Sequence, residues 1–482
     1  MKFETDRRAR ARFLLTAGCA IVTAPAGATT LADALAATYA NNPTLNAQRA
    51  SLRATDEQAA IARAGGRPQA DLSATYVRGI GGLRAVNGYN QAVNAGANLN
   101  VPIYQGGRVR NAIRAADARS ATGRGDLRAA EGDLMVAAIT AYADVLRDRE
   151  VLAHNRANVD ALDGDMRSSA TRQREGDLTR TDVSQSQARL EIARGALATV
   201  EARLARSELD FRRVTGLAPG PLAAVPPLPS LPADADDAER VALADNPALE
   251  AAAGAIRAAR YDAAGARGAG LPTLSLTGTS SYYAYKDRFA GYGDTSGNAN
   301  QVGASFTLPL YQGGIVSARV RAANDAVAQA LDQQVEVERQ VVTDVRADYA
   351  DYRAALRSIE AGERAVEADT SALTGVRTEN KAGFRQLLDV LNAELELLNA
   401  REGLAAARHD ALVAGARLLA SMGIADLAHL APDAATARYD AEANARAARR
   451  ALLDLPGARA AKAGLAKPVY GPVPPIADDS SR

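Results

Sequence analysis

The sequence predicts an α+β membrane protein in which an internal duplication supplies β-strands to a shared barrel and long antiparallel α-helices to a coiled coil. Three observations lead to this fold class. Sequence motifs recur a little over 200 residues apart. Four segments alternate between apolar and polar residues, as strands with one lipid-facing side do. Each half also carries a helical region of roughly 100 residues whose return arm has a 3.5-residue apolar period.

Composition excludes several other classes of protein. A chain of 482 residues has room for two to four domains, and its net charge of +1 gives no reason to expect a nucleic-acid partner. Apolar residues make up 47% and aromatics only 4%, which is typical of long helices in close contact. One Cys and three His exclude a Cys/His zinc site and a disulfide framework.

The N-terminal 28 residues have the pattern of a signal peptide. Basic residues precede an apolar stretch at 13–22, and Ala26, Gly27 and Ala28 supply a small-residue cleavage site. Cleavage there removes five basic and two acidic residues, so the net charge changes from +1 to −2. In an alternative interpretation, Cys19 is a lipidated N-terminus. Both interpretations predict export, and beyond residue 28 no apolar run of about 18 residues predicts a transmembrane helix.

The remainder of the chain is a tandem duplication. Asn42-Pro43 recurs as Asn246-Pro247, and the motif Pro-x-Tyr-Gln-Gly-Gly occurs at 102–107 and again at 309–314. Tyr142 is likewise matched by Tyr349, 207 residues later. These anchors predict the following domains: a first repeat at 29–216, a Pro-rich linker at 217–235, a second repeat at 236–430, and a partly disordered tail at 431–482.

Both repeats have the same predicted plan. A helical stretch (31–66 or 236–270) leads to a β-hairpin at 69–103 or 273–308. A long helical hairpin follows, at 108–215 in the first repeat and 315–422 in the second. The glycine pairs Gly106-Gly107 and Gly313-Gly314 are predicted to form the strand-to-helix turns, because glycine permits the backbone angles and close approach of such a bend. Their spacing does not match a phosphate-binding loop.

The predicted strands alternate over about 9–13 residues, which is typical of a barrel strand with a lipid-facing side and a lumen-facing side. The apolar positions include Leu72, Ala74 and Tyr76 in one strand and Val302, Ala304 and Phe306 in another. A soluble hairpin packed on one face is the alternative. A sheet that spans a membrane must close, and four strands are too few. The chain would therefore pool strands with copies of itself, eight in a dimer or twelve in a trimer.

The long helices carry an apolar seam with alternating spacings of three and four residues. In the first return helix the seam begins Val183, Ser186, Leu190, Ala193, Leu197. The first long helix spans about 100 Å, and the return helix plus the short N-terminal helix of the repeat come close to that length. This suits a wall in which the short helix completes the return helix. An ordinary antiparallel coiled-coil pair without a channel remains the alternative.

The chain resembles the TolC family of outer-membrane channel proteins, in its type I secretion and efflux branch. The two Asn-Pro motifs, the two Tyr-Gln-Gly-Gly turns and the segments 175–183 and 382–393 carry the resemblance. It implies a homotrimer whose twelve strands form one barrel in outer-membrane lipid and whose helices form a periplasmic tunnel. It further implies a passive exit duct that works with a periplasmic adaptor (membrane fusion) protein and an inner-membrane ABC or proton-driven pump.

The same resemblance implies a gate at the turns of the helical hairpins. Asp389 matches an aperture aspartate, Arg385 matches an arginine that ties the two tips together, and Thr181 and Asp182 match its partners. The chain departs from the family pattern where Asn392 replaces a second aperture aspartate. In a trimer, the ring of acidic residues around the aperture would then hold three carboxylates and favour cations. Helix capping explains Asp182 equally well, whereas Gln386 is a poor cap, so capping explains Asp389 less well.

No motif in the chain predicts an enzyme. The three histidines stand singly, and no Ser-His-Asp or paired-carboxylate arrangement is visible. We therefore expect no catalytic activity, no cofactor and no bound metal. The alternative to a channel is an exported periplasmic coiled-coil scaffold or adaptor without a pore. Among possible cargoes, the Thr-Arg-Thr-Asp tip at 179–182 favours secreted protein, and small toxic compounds remain open.

Overall fold

A computed structural model of the chain describes residues 28–80, 90–226, 228–229, 231–286, 293–434 and 438–450. All but the last residue of the predicted signal peptide, and the end of the predicted tail (451–482), lie outside the described residues. The elements of the first repeat are α1 (Leu31–Asn41), α2 (Pro43–Ala64), β1 (Gln69–Arg78), β2 (Gln91–Gln105), α3 (Arg108–Glu175) and α4 (Arg180–Thr215). Those of the second repeat and tail are α5 (Ala235–Asp245), α6 (Pro247–Gly268), β3 (Thr273–Lys286), β4 (Thr295–Thr307), α7 (Ile315–Lys381), α8 (Leu387–Ser421), α9 (Leu427–Leu430) and α10 (Ala443–Arg450).

Each predicted N-terminal helical stretch is divided in two by its Asn-Pro motif. The side-chain oxygen of Asn42 accepts from the Thr44 N–H at 2.9 Å, and that of Asn246 accepts from the Ala248 N–H at 2.8 Å. Proline follows at the first helical position, where its missing N–H costs nothing. The asparagines therefore cap α2 and α6 and separate them from α1 and α5.

The same two asparagines join the short helices to the return helices. Asn42 Nδ2 donates to the Val214 carbonyl at 3.0 Å, and Asn246 Nδ2 donates to the Ser421 carbonyl at 2.7 Å. Each contact satisfies a carbonyl in the last turn of a helix, where intrahelical donors are lacking. These contacts put the start of α2 beside the end of α4, and the start of α6 beside the end of α8.

The four strands form one antiparallel sheet in the order β1-β2-β3-β4. Its register puts the predicted apolar positions on one face. Leu72 on β1 lies opposite Ala97 on β2. Two residues further along, Ala70, Leu99, Gly278 and Val302 lie opposite one another in turn across the four strands. Leu72 and Val302 are 82% and 93% exposed. An apolar face this exposed fits lipid better than water. Across the part of the chain that the structure describes, no helix combines the length and hydrophobicity that a bilayer crossing requires.

The main helical core lies where α1, α3 and α4 meet. Tyr142 and Phe211 are fully buried there, in edge-to-face contact with ring centroids 6.2 Å apart. The single proton of the Tyr142 hydroxyl is shared between the backbone carbonyl oxygens of Thr29 and Ala223, which lie 2.9 and 2.7 Å from the hydroxyl oxygen. Its counterpart Tyr349 donates to the Ala233 carbonyl at 2.5 Å. The repeated tyrosine therefore fastens the linker to the long helix in both halves.

The two repeats meet along α6, which packs against both α3 and α7. The contact with α3 is close enough to require glycine. A Cβ on Gly254 would lie 2.5 Å from Thr122 Oγ1, and one on Gly125 would lie 2.8 Å from the Pro247 carbonyl oxygen. An ion pair between Arg128 and Glu250, at 2.8 Å, adds to the same seam. We call this contact between α3 and α6 the repeat seam.

The predicted strand-to-helix turns carry positive φ angles at all four glycines: 61° and 76° at Gly106 and Gly107, and 59° and 83° at Gly313 and Gly314. Gly106 has a second reason to lack a side chain, because a Cβ there would lie 2.3 Å from the Gly268 carbonyl oxygen. Around Gly313 the described residues place no atom within 4 Å of such a Cβ. The two turns thus have the same backbone but different surroundings within one chain.

The start of the tail is ordered against α2. The Tyr439 N–H donates to the Tyr39 hydroxyl at 3.1 Å, and Asn444 Nδ2 donates to the Arg53 carbonyl at 3.3 Å. The Arg49 guanidinium lies over both tyrosine rings, 4.4 Å from the centroid of Tyr39 and 5.1 Å from that of Tyr439. The described part of the tail therefore packs against the first repeat.

Candidate functional site

The turns of the two helical hairpins lie side by side at one end of the chain. In the apolar cluster beneath them, α3 contributes Leu162, α4 contributes Leu190 and α8 contributes Leu391, all buried. A second cluster, with Leu373 on α7 and Leu397 on α8, holds the second hairpin together. The hairpins of the two repeats therefore touch each other close to their tips, and Leu190 is one of the predicted seam residues.

The first tip is a capping box at the start of α4. The Thr179 hydroxyl oxygen accepts from the Asp182 N–H at 3.2 Å, and the Asp182 carboxylate accepts from the Thr179 N–H at 2.9 Å. The backbone and side-chain hydrogen bonds from Thr179 lower the pKa of Asp182. In the single chain Asp182 thus fixes its own helix start, and Thr181 is exposed beside it.

The second tip uses Asp389 in a similar way. Its carboxylate accepts from the Gln386 N–H at 3.2 Å and closes the start of α8. The expectation that capping explains Asp389 less well is wrong in this respect. The cause is that the aspartate at the third helical position reaches back to the backbone N–H before the helix, whatever side chain that residue carries.

Arg385 is held within its own hairpin. Its Nε donates to Glu379 at 2.8 Å, which raises the pKa of Arg385, and its carbonyl accepts from Asn380 Nδ2 at 2.9 Å. The expected contacts of Arg385 with Thr181 and Asp182 do not occur in the described chain. The nearer carboxylate of Glu379, six residues away across the turn, occupies the guanidinium instead.

A different pair joins the two tips. Arg189 on α4 donates through an Nη to the side-chain oxygen of Asn392 on α8, at 2.9 Å. Asn392 is the position expected to differ from an aperture aspartate, so the sequence located one partner and missed the other. Arg189 directly precedes the seam residue Leu190, and this flanking position was the available signal. We call the contact between Arg189 and Asn392 the tip link.

Two of the three histidines pair with aspartates. His409 lies 3.0 Å from Asp144 and 2.8 Å from Asp410, and His429 lies 2.8 Å from Asp426. Burial lowers the pKa of His409, but hydrogen bonds that the ring donates to Asp144 and Asp410 outweigh burial and raise it. Within the residues described, no three or more His, Cys, Asp or Glu side chains are grouped as metal ligands.

Comparison with known proteins agrees with this geometry. The model of the family described as "Outer membrane efflux protein" matches residues 34–217 and 240–424, one match in each repeat. The outer membrane efflux protein BepC of Brucella suis is 32% identical over 87% of this chain and 91% of its own. The outer membrane protein TolC of Escherichia coli is 29% identical over 80% of each chain.

Solved structures show the same fold. The CmeC outer membrane channel of Campylobacter jejuni superposes with a TM-score of 0.72 at 16% identity, over 87% of this chain and 89% of that one. VceC of Vibrio cholerae gives 0.68 at 20% identity, over 82% and 96%. With its two matched repeats, its four-stranded sheet and its paired hairpin tips, the chain belongs to the outer membrane efflux protein family.

Proposed function

We propose that three copies of this chain form a passive exit duct in the outer membrane, closed at the periplasmic end by the helical tips. The main observation behind the proposal is that, within the described residues, α7 is packed on one side where its counterpart α3 is packed on two. In the first repeat, the long helix α3 has a short helix on each flank, α2 and α6. In the second repeat, α6 is the only counterpart of these two helices that packs against α7 within the described residues. The equivalent place on its other flank fits α2 of the next copy.

The exposed residues of α7 support this closure. Counting 207 residues on from Thr122 and Gly125 in the repeat seam gives Gln329 and Asp332, and both are exposed. The counterpart of Gly254, 204 residues earlier, is Ala50 on α2, which is also exposed. A second seam of the same geometry between copies would cover all three. Gly313, with open space around it, would then meet the next copy as Gly106 meets Gly268.

The sheet has the same incompleteness. Within the described chain β1 and β4 each pair along one edge only. Strands in hydrocarbon need a partner on both edges, and four are too few to close. Pairing β4 of one copy with β1 of the next gives twelve strands in a trimer, which is within the size range of outer-membrane barrels.

The tips supply the gate in this proposal. The tip link ties the first hairpin of a chain to the second, and the Arg385–Glu379 pair stiffens the turn of the second. Asp389 is placed at the turn, so three copies bring three carboxylates to the axis and favour cations. Thr181 and Asp182 shape the neighbouring tip. Energy for export comes from an inner-membrane pump reached through a periplasmic adaptor, because the duct itself performs no chemistry and needs no cofactor.

Two cargo classes follow from the relatives. BepC is described as an efflux protein, whereas AprF of Pseudomonas aeruginosa, 30% identical over 63% of this chain and 64% of its own, is described as an alkaline protease secretion protein. The Thr-Arg-Thr-Asp tip at 179–182 favours protein secretion. Deleting the gene and comparing the secreted proteins with the sensitivity to toxic compounds separates the two. Loss of a secreted protein supports the first class, and hypersensitivity alone supports the second.

The duct itself is tested by membrane fractionation and planar-bilayer recording of the purified protein. We expect the chain in the outer membrane as a trimer that dissociates to monomers on heating in detergent, and discrete conductance steps on addition to a bilayer. A monomer recovered from the soluble periplasm, with no conductance, would instead support the scaffold without a pore.

A further inference from the structure

A pair of acidic side chains, Glu394 buried and Asp165 half-buried, lies between the two hairpins near their tips. Glu394 on α8 is 5% exposed, the most buried acidic residue of that helix. It lies between the two apolar clusters of the tips, three residues from Leu391 of one cluster and three residues from Leu397 of the other. Asp165 reaches it from α3, in the other repeat. Both sites lie within about 15 Å of a hairpin turn, at 1.5 Å per residue.

The hydrogen bonding of this pair is incomplete. Arg377 on α7 donates to Glu394 Oε1. The other Glu394 oxygen, Oε2, and Asp165 Oδ2 are both buried, and neither has a hydrogen-bond partner among the described residues. Two buried acceptors that face a common interface cannot satisfy each other unless a proton lies between them. Leaving a buried acceptor without a donor is unfavourable, because it loses its hydrogen bonds to water and gains none in return.

We propose that Glu394 and Asp165 share a proton that holds the two hairpins together at the periplasmic end, and that loss of this proton loosens the entrance. One proton supplies the missing donor and removes one of two adjacent negative charges. Without it, two carboxylates confront each other across the contact between repeats, with Arg377 able to compensate only one. This regulation rests on the proposed gate at the tips.

Within the described residues, Arg377 is the one cation paired with Glu394. From α7 it faces Arg377 and from α3 it faces Asp165. On α4, the third helix in the contact, Arg189 is engaged by Asn392, and Arg194 is engaged by Glu191 and Asp163. On α3, Arg167 is likewise paired with Asp163. The nearby arginines are thus committed to other acceptors.

The direction of the pH response follows from the environment. Burial and the hydrogen bond and charge of Asp165 raise the pKa of Glu394 to about 7, although Arg377 opposes the change. A carboxyl whose pKa is raised in the packed state binds its proton more tightly there than when the contact opens. The stabilisation is therefore complete below the ordinary pKa of glutamate and is lost as pH rises through about 7.

The test is single-channel conductance of the trimer in planar bilayers between pH 5.5 and 8.5, a range chosen to bracket the pKa of about 7. Wild type should conduct more on the alkaline side of the step. Glu394→Gln and Asp165→Asn should both lose the step and stay in the low-conductance state, because each removes one of the two repelling charges. Arg377→Gln should move the step to higher pH, because it removes the cation that favours ionised Glu394.

Glu396→Gln is the matched control, because Glu396 is exposed on the same helix only two residues away. It should keep the wild-type step. A wild-type step in Glu394→Gln, or a step lost equally in Glu396→Gln, would overturn the inference. If Glu394→Gln does not assemble, Asp165→Asn decides in the same way, since it removes the other half of the pair.

Hydrogen exchange provides a second readout that does not need a pore. After correction for the intrinsic pH dependence of exchange, amides in 387–400 and 160–170 should exchange faster at pH 8 than at pH 6 in wild type, and equally in Glu394→Gln. A wild-type protein that never conducts would refute the proposed duct. The exchange data would still test whether Glu394 and Asp165 share a proton. A conducting protein without the pH step and without the exchange difference would refute the pair alone.

Discussion

Removing the tip link should make the closed duct easier to open. Arg189→Ala deletes the donor to Asn392, a contact of 2.9 Å between partly exposed side chains. An exposed hydrogen bond of this kind stabilises by about 0.5–1 kcal/mol. A trimer contains three copies, so the closed state should lose roughly 1.5–3 kcal/mol. Since 1.4 kcal/mol changes an equilibrium about tenfold, the open-to-closed ratio should rise about ten- to a hundredfold.

The measurement is the open probability of single channels in planar bilayers, with Arg194→Ala as the matched control. Arg194 is also a partly exposed arginine on α4, but it pairs with Glu191 and Asp163 inside the first repeat. Its removal breaks no contact between tips and should leave the open probability near wild type. Arg189→Ala and Asn392→Ala should give similar increases, and the double variant should add little to either, because they remove the same contact.

Two results would refute this reasoning. If Arg189→Ala opens the channel no more than Arg194→Ala does, the tip link does not hold the gate. If Arg385→Ser opens the channel strongly while Arg189→Ala does not, the gate depends on the contacts that the family resemblance implied for Arg385. Those contacts would then form only between chains of the trimer.

Three further predictions concern other parts of the chain. Asp389→Ala should reduce cation selectivity, measured as the reversal potential in a salt gradient, and an unchanged potential would place Asp389 away from the axis. Asn246→Ala should lower the stability of each chain by about 2 kcal/mol. About 1 kcal/mol comes from the lost helix cap, and about 1 kcal/mol from the lost hydrogen bond to the Ser421 carbonyl. An unchanged temperature of heat dissociation of the trimer would contradict this prediction. Gly254→Ala should destabilise the fold by about 1–3 kcal/mol, because the added Cβ would lie 2.5 Å from Thr122. The control Gly195→Ala should stabilise the fold by about 0.5–1 kcal/mol, because its Cβ would meet no atom within 4 Å. Equal melting temperatures for the two variants would argue against a close repeat seam.

The regular elements could be predicted because each has a strong local cause. Positive-φ glycines end strands and helices, and a period of two or 3.5 residues identifies the buried or lipid-facing side. The repeated tyrosine at 142 and 349 was visible as an anchor, but its purpose was not. A hydroxyl that donates to a linker carbonyl leaves no periodic trace in the sequence.

The site was harder to predict because it consists of contacts between elements far apart in the chain. Arg189 and Asn392 are 203 residues apart. Arg385 had several acceptors within reach, and sequence alone does not say that Glu379 is nearest. Glu394 illustrates the same difficulty: on a return helix with other glutamates, only the three-dimensional packing shows that this one is buried against an acidic neighbour.

In the proposed ring, the backbones pack more closely in the repeat seam than in the seam between chains. Within a chain, Gly125 and Gly254 allow close approach of the helices, whereas the equivalent positions in the proposed seam between chains are Asp332 and Ala50. The tighter seam therefore belongs to a single polypeptide and can form before any encounter with another. Each protomer would then complete its third of the wall before it assembles with other copies. Because duplication gave the two seams separate residues, substitutions that adjust subunit joining leave the folding of each third untouched.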